Sequence, residues 1–373
     1  MIPYRLTQIQ SPLISWGLFL FCTMILRCSI LLVILGLSAC SNQSNDSESS
    51  KGSTEDTILI RLNSAIKANP SSGDGYLERA RYFSRTGNID AALSDLERAI
   101  RADSTRGEYY AARGEIAFTK NDIKPAYQDY ISCLRHDPDN TDCLLKAAEI
   151  ELLLRNYKES LDHINSALRI NQYTSHAYFM KGLIYAETGD TALAVSSYQT
   201  ATEVDPSYYE AYIALGHLYS LVDNDLAIEY YNTAIDLKPA SVEALYNKAI
   251  YMQESGYRDY NRYTEALELY DRIIAINPSI ATPYYNKGYV YLEYLSSSDE
   301  GAYTEGEKWF TMALERRGDD YKTFYNRGLC RESAGNIKGA EEDYRMSLKY
   351  DPQFESAAKA LQRVLERPEK SKR

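Results

Sequence analysis

Histidine is scarce in this 373-residue sequence: His136, His163, His176 and His217 are all there are, and no two form an HExxH pair. That removes the arrangement in which two histidines one helical turn apart hold a catalytic zinc. Also missing are a GxSxG elbow to present a serine nucleophile, a GxxxxGKS/T loop to cradle phosphates, and a CxxC pair. Two fragments that touch on chemistry are incomplete. Ser64-Ala65-Ile66-Lys67 has the spacing of a Ser-Lys acyl-transfer motif, but it lies on one short helix with no accompanying domain. Cys133, His136 and Cys143 lack a fourth zinc ligand, and the two cysteines occupy ordinary packing positions. The expectation is a chain that is not an enzyme and carries neither metal nor cofactor. Positive charge is in deficit too, with 41 Lys and Arg against 52 Asp and Glu and a formal net charge of −11. Phosphate binding draws its affinity from Lys and Arg, so this balance argues against nucleic acid and leaves proteins, peptides or cationic ligands as partners.

What is present is apolar surface in a fixed period. Hydrophobic residues make up 45% of the chain and tyrosine alone supplies 34 positions, enough for a continuous core. Tyr76, Ala80, Ala92, Leu96 and Ala99 recur 34 residues later as Tyr110, Gly114, Ala126, Tyr130 and Cys133. Framed as 73–106, 107–140, 141–174, 175–208, 209–241, 242–280, 281–320 and 321–354, every unit has Ala or Gly at its eighth position, from Ala80 to Gly328. A second small site follows in each, from Ala92 to Ala340, so that two antiparallel helices can approach closely. Large residues sit one helical turn away on the same face, such as Tyr212 before Gly216 and Tyr231 after Ala227. Pro138, Pro206, Pro239, Pro278 and Pro352 fall near unit ends, where a ring lacking an N–H stops the second helix.

Position by position, this pattern is similar to the tetratricopeptide motif from residue 73 to 354. The resemblance implies an all-α fold, a right-handed superhelical solenoid of eight helix-turn-helix repeats. Residues 54–72 are expected as an N-terminal capping helix and 355–373 as a C-terminal capping helix with a basic tail, since each end of a solenoid needs cover. Three units depart from 34 residues. The fifth is one short around Val222-Asp223-Asn224, whereas the sixth and seventh gain five and six residues at 257–263 and 295–304. All three changes fall at the turn between the paired helices. They read either as neutral loop or helix growth or as a contact edge carrying Tyr257, Tyr260, Tyr263 and Tyr303.

The amino terminus reads as an address. Residues 29–37 are a short apolar run behind Arg27, too short to anchor in a bilayer, and Leu37-Ser38-Ala39-Cys40 closes it. That box resembles the bacterial lipoprotein signal, which implies cleavage of residues 1–39, a lipid on Cys40 and residence in the bacterial cell envelope, lipid-anchored at the outer membrane on its periplasmic or surface face. Met24 is an alternative start, and an uncleaved anchor built from 12–26 and 29–37 is the competing reading. Residues 40–53 form a polar tether that reaches roughly 20 Å as flexible coil. Export would place Cys133 and Cys143 in an oxidising compartment, where a disulfide across one inter-helix turn is the better reading than a metal site.

For function, the resemblance implies a protein- or peptide-binding adaptor or scaffold that touches the membrane only through its N-terminal lipid. A glycan-capturing outer-membrane lipoprotein and an accessory factor in envelope assembly or secretion are the alternatives. Against glycan capture, Trp309 is the only tryptophan beyond the signal. In this family the fifth, sixth and ninth positions of the first helix line the concave face. Here they are Tyr246, Asn247 and Ile250, then Tyr285, Asn286 and Tyr289, then Tyr325, Asn326 and Leu329. The asparagines resemble the ladder of the O-linked N-acetylglucosamine transferase superhelix, which implies that paired amide donors and acceptors hold a peptide backbone. A carboxylate clamp matches less well, because Arg81 stands nearly alone in the first units.

Overall fold

The computed structural model describes residues 47–296 and 301–367, with side chains from residue 57 onward. The expected signal, Cys40, the start of the expected tether, part of the 295–304 insertion and the basic tail lie outside the described residues. Eighteen α-helices and one π-helical turn make up the described structure, without a strand. The fold class is therefore all-α, in helix pairs.

Helical contacts divide the chain into two compact units, one ending at Asp190 and the other beginning at Thr191. The first holds α1 (Ser47–Ala68), α2 (Gly73–Arg85), α3 (Ile89–Ala102), α4 (Gly107–Thr119), α5 (Ile123–His136), α6 (Thr141–Leu153), α7 (Tyr157–Ile170) and α8 (Ser175–Glu187). Helix α1 begins at Ser47, seven residues before the capping helix expected from residue 54. Once a turn is nucleated, each further residue gains a hydrogen bond, and the Ser/Glu-rich run holds no proline to stop it.

The second unit holds α9 (Thr191–Val204), α10 (Tyr209–Leu221), α11 (Leu226–Leu237), α12 (Val242–Ser255), α13 (Asn261–Ile276) and α14 (Ala281–Tyr289). A π-helical turn, Val290–Leu295, follows α14. Then come α15 (Ala302–Arg316), α16 (Tyr321–Ser333), α17 (Ile337–Tyr350) and α18 (Glu355–Leu365). Pro138, Pro206, Pro239, Pro278 and Pro352 each stand two residues beyond the end of a second helix.

Within each unit the helix pairs lock through the small residues. Ala80 and Ala92 are buried against Leu96 in the first unit, and Ala340 against Tyr344 in the second. Burying a side chain such as Leu96 contributes about 2 kcal/mol. Three pairs add an arginine–aspartate ion pair between their helices: Arg79 to Asp95 at 2.6 Å, Arg113 to Asp129 at 2.7 Å and Arg327 to Asp343 at 2.7 Å. Each is two-pronged, a geometry that fixes one helix against the other.

The turn inside a pair needs one left-handed residue, fifteenth in the unit. Gly87, Asn121, Arg155, Gly189, Asp223 and Gly335 hold it with φ of 80°, 60°, 61°, 85°, 52° and 85°. Among the described residues, the two repeats without it are the two with insertions. There α12 runs into a turn at Gly256–Tyr260, and α14 widens into the π-helix instead of stopping. The first insertion is fastened to the preceding repeat: Arg258 and Arg262 both pair with Asp225, at 2.9 and 2.7 Å. Tyr257 donates its hydroxyl to Asp223, so the fifth repeat's short turn supplies the acids that the sixth repeat's long one requires.

Candidate functional site

Three successive first helices, α12, α14 and α16, present their fifth, sixth and ninth residues at one register in the second unit. Tyr246, Ile250, Tyr285, Tyr289, Tyr325 and Leu329 are all half-buried, leaving part of each side chain to solvent. The rings do not stand apart. Tyr285 and Tyr289 stack with centroids 6.3 Å apart, and Tyr285 meets the buried Phe310 edge-on at 5.6 Å. Beneath them, Leu292, Phe310 and Cys330 form a buried cluster on which Tyr285, Tyr289, Tyr303 and Leu329 rest. Burial raises the hydroxyl pKa of Tyr246, Tyr285, Tyr289 and Tyr325, so all four are neutral donors near pH 7.

The asparagines are placed differently from a peptide-holding ladder. Asn286 and Asn326 are only 7% and 8% exposed. Asn286 donates its amide to the Tyr246 hydroxyl at 3.4 Å, and Asn326 donates to the Tyr285 hydroxyl at 2.9 Å. Each amide thus ties its repeat to the tyrosine one repeat earlier. Asn247 has no such partner to reach, because the equivalent position in the fifth repeat is Ile213, and it stays half-buried. Of the three amides, Asn247 is the one whose hydrogen-bonding groups the protein leaves unspent among the described residues.

Elsewhere the remaining residues of interest are used internally. Cys133 and Cys143 are joined as a disulfide with their Cα atoms 6.5 Å apart. His136, the third member of that sequence cluster, stacks on Tyr110 at 5.6 Å. Cys330 is buried, and burial pushes its thiol up to about 12, which keeps it protonated and unreactive. Ser64 donates to the Ile60 carbonyl of its own helix. Arg81 is held by Glu78 and Glu108. Of the insertion tyrosines, Tyr263 is turned inward and Tyr257 and Tyr260 are exposed.

A buried network not legible from composition lies in the first unit. Glu151 is 1% exposed, and it accepts from the Tyr127 hydroxyl at 2.8 Å and meets His163 Nδ1 at 2.8 Å. The hydrogen bond to Glu151 raises the His163 pKa above its ordinary value. Its signal in the sequence was a Glu at an apolar register of α6, one turn from Ala147 and Ala148.

A family model described as tetratricopeptide repeat matches residues 61–107, 77–131 and 217–281, and one described as TPR repeat matches 182–222. The photosystem I assembly protein Ycf3 of Rippkaea orientalis is 33% identical over 120 residues, 30% of this chain and 69% of that protein. A TPR repeat-containing protein of Methanocaldococcus jannaschii is 25% identical over 205 residues, 53% of this chain. The chain spans 34% of that archaeal protein's length. Among solved structures, the C-terminal part of a TPR repeat-containing protein from Cytophaga hutchinsonii superposes with a TM-score of 0.57 at 16% identity. That match covers 67% of this chain and 98% of the other, a likeness of fold.

Proposed function

Because the chain belongs to the tetratricopeptide-repeat family, we propose that it is a non-catalytic adaptor or scaffold that holds an extended segment of a partner protein against α12, α14 and α16. The observation that carries this reading is the row of half-buried tyrosines with Ile250 and Leu329 at one register of three consecutive repeats. Extended chains repeat their side chains at regular intervals, and aromatic anchors spaced by a repeat give such a chain successive apolar contacts. Asn247 adds a free amide at one end of the row. Asn286 and Asn326 serve the site by fixing the tyrosines rather than by reaching the ligand.

The Leu37-Ser38-Ala39-Cys40 box supports a further part of the proposal, anchorage in the bacterial cell envelope through a lipid on Cys40. Two experiments test these readings. The full-length protein and a Tyr289→Ala/Leu329→Ala variant are compared for envelope proteins retained. The groove reading expects partners held by the wild type and lost by a variant that melts normally, and identical retention removes it. Separately, Cys40→Ser is expected to remain soluble or uncleaved after expression in a bacterium. Full processing with unchanged membrane retention removes the lipid anchor.

A further inference from the structure

A tyrosine hydroxyl has one proton to give and two lone pairs to receive with, so its hydrogen bonds can be accounted for one by one. Tyr127, Tyr251, Tyr270 and Tyr344 give that proton to the protein itself: to Glu151 at 2.8 Å, Asp225 at 2.9 Å, Gln253 at 2.9 Å and Glu332 at 2.7 Å. Tyr246 and Tyr285 do the reverse. Each receives a bond from an amide one repeat on, Asn286 at 3.4 Å and Asn326 at 2.9 Å, and neither meets an acceptor for its own proton among the described residues.

Both hydroxyls are held from two directions. Tyr246 rests on the buried Tyr270 with centroids 6.5 Å apart and Tyr285 on the buried Phe310 at 5.6 Å, so packing fixes each ring while the amide occupies a lone pair. Both side chains keep part of their surface in the groove. A hydroxyl that already accepts a bond is also the stronger donor, and burial raises both phenols above their ordinary pKa, which keeps the proton on oxygen. The arrangement is confined to these repeats, because the fifth residues of the earlier ones are Leu77, Ala111, Leu145, Phe179 and Ile213, none with a hydroxyl. Tyr325 sits on Tyr344 at 5.9 Å in the same way, but α18 has Ala360 at its sixth place, so the Tyr325 hydroxyl receives no amide.

We propose that the hydroxyls of Tyr246 and Tyr285 hold the main chain of the partner segment by donating to two of its carbonyl oxygens. Neighbouring packed helices lie about 8–10 Å apart, and an extended polyproline-II strand returns a carbonyl to the same face every three residues, about 9 Å along. The two donors therefore suit carbonyls three residues apart. The inference rests on the groove reading above and gives it a chemistry: the register is read on the main chain, and preference among side chains falls to the rings, Ile250 and Leu329. It also explains why two buried amides are spent on hydroxyls rather than on a ligand, since each leaves a proton of its tyrosine to be given.

The test uses the full-length protein and two fluorescein-labelled twelve-residue chains of alternating Leu and Gln, one joined by amides and one by esters, read by anisotropy. An ester carbonyl is the weaker acceptor, and each hydrogen bond at stake is worth about threefold in affinity. Wild type is expected to bind the amide chain about tenfold tighter than the ester chain, and Tyr246→Phe/Tyr285→Phe to lose about tenfold on the amide chain but under about twofold on the ester chain. The ester also lacks N–H donors, so the difference between the proteins decides, not wild type alone. Tyr173→Phe, at an exposed tyrosine of the first unit, is expected to change neither affinity. Phenylalanine strands the amides of Asn286 and Asn326, so melting curves are taken, and the two single variants, each expected to cost about threefold, decide where the pair unfolds. Equal losses on the two chains, equal binding of both chains by wild type, or no binding of the amide chain overturns the inference. Retention of envelope proteins then separates it from the groove reading. Partners lost by Tyr289→Ala/Leu329→Ala but kept by the phenylalanine pair leave the groove without this chemistry, and partners kept by both remove both.

Discussion

Replacing Gly216 by alanine puts helix propensity and packing in direct opposition. In a helix interior the change is favourable by about 0.5–1 kcal/mol, because glycine loses more backbone freedom on folding. At this position, however, an ideal Cβ stands 2.5 Å from Cε1 and 2.6 Å from Cδ1 of Tyr231. The Tyr231 ring is buried, so it can yield only by moving α11 or leaving its rotamer. Overpacking of that kind costs about 1–3 kcal/mol, and the net expectation is destabilisation by about 1–2 kcal/mol. The same substitution at Gly114 brings its nearest contact to 3.2 Å, at the Asp129 Cβ and the Tyr130 ring edge, where a shift of a few tenths of an ångström suffices. Urea unfolding followed by circular dichroism reads both variants, with midpoints compared at unchanged slope. A Gly216→Ala midpoint at or above wild type refutes the packing account of the eighth position. Equal losses at Gly216 and Gly114 refute the distance argument while leaving the small-residue rule.

Arg155 holds a left-handed turn with φ of 61° that glycine holds in three other repeats, and its side chain is exposed. Arg155→Gly is expected to raise stability by about 0.5–1 kcal/mol in the same urea assay, and a loss refutes the strain assignment. The His163 pKa is raised by Glu151, so its contribution is full below the ordinary histidine value and is lost as pH rises through the folded value. Melting temperature is expected to fall as pH climbs past about 6.5, and His163→Gln to flatten that slope, whereas an unchanged slope refutes the network. Asn326→Ala is expected to cost about 1–2 kcal/mol by stranding the Tyr285 hydroxyl, against under about 0.5 kcal/mol for Asn247→Ala. Equal effects at the two refute the inter-repeat role of the amide.

Much of the fold was legible because a helix pair is specified locally. The small residues from Ala80 to Gly328 and from Ala92 to Ala340 report close approach, and the prolines report where each second helix stops. The turn residue was harder to read, since glycine, asparagine, arginine and aspartate all occupy the fifteenth position and only φ reveals the common requirement. The ion pairs from α2 to α3, α4 to α5 and α16 to α17 have a regular spacing of 16 residues, so they could have been found by searching for charge as well as for size. The π-turn left no such trace. Val290–Leu295 is composed like a helix, and its widening follows from an insertion that has to be absorbed between α14 and α15.

The asparagine positions show why a motif position and a function separate. A sixth-position amide is held by whatever polar group the preceding repeat offers at its fifth position. Where that group is a tyrosine, as for Asn286 and Asn326, the amide is buried and its donor spent; where it is Ile213, the amide of Asn247 is left over. The choice was written in pairs of repeats, not in any one repeat. On the proposed groove reading, a partner would therefore meet the half-buried tyrosine row and the amide of Asn247 rather than the amides of Asn286 and Asn326. Replacing all three asparagines together confounds repeat coupling with ligand contact. A comparison of Asn247→Ala with Asn326→Ala at matched stability separates them, since only the first removes a group free to meet a partner.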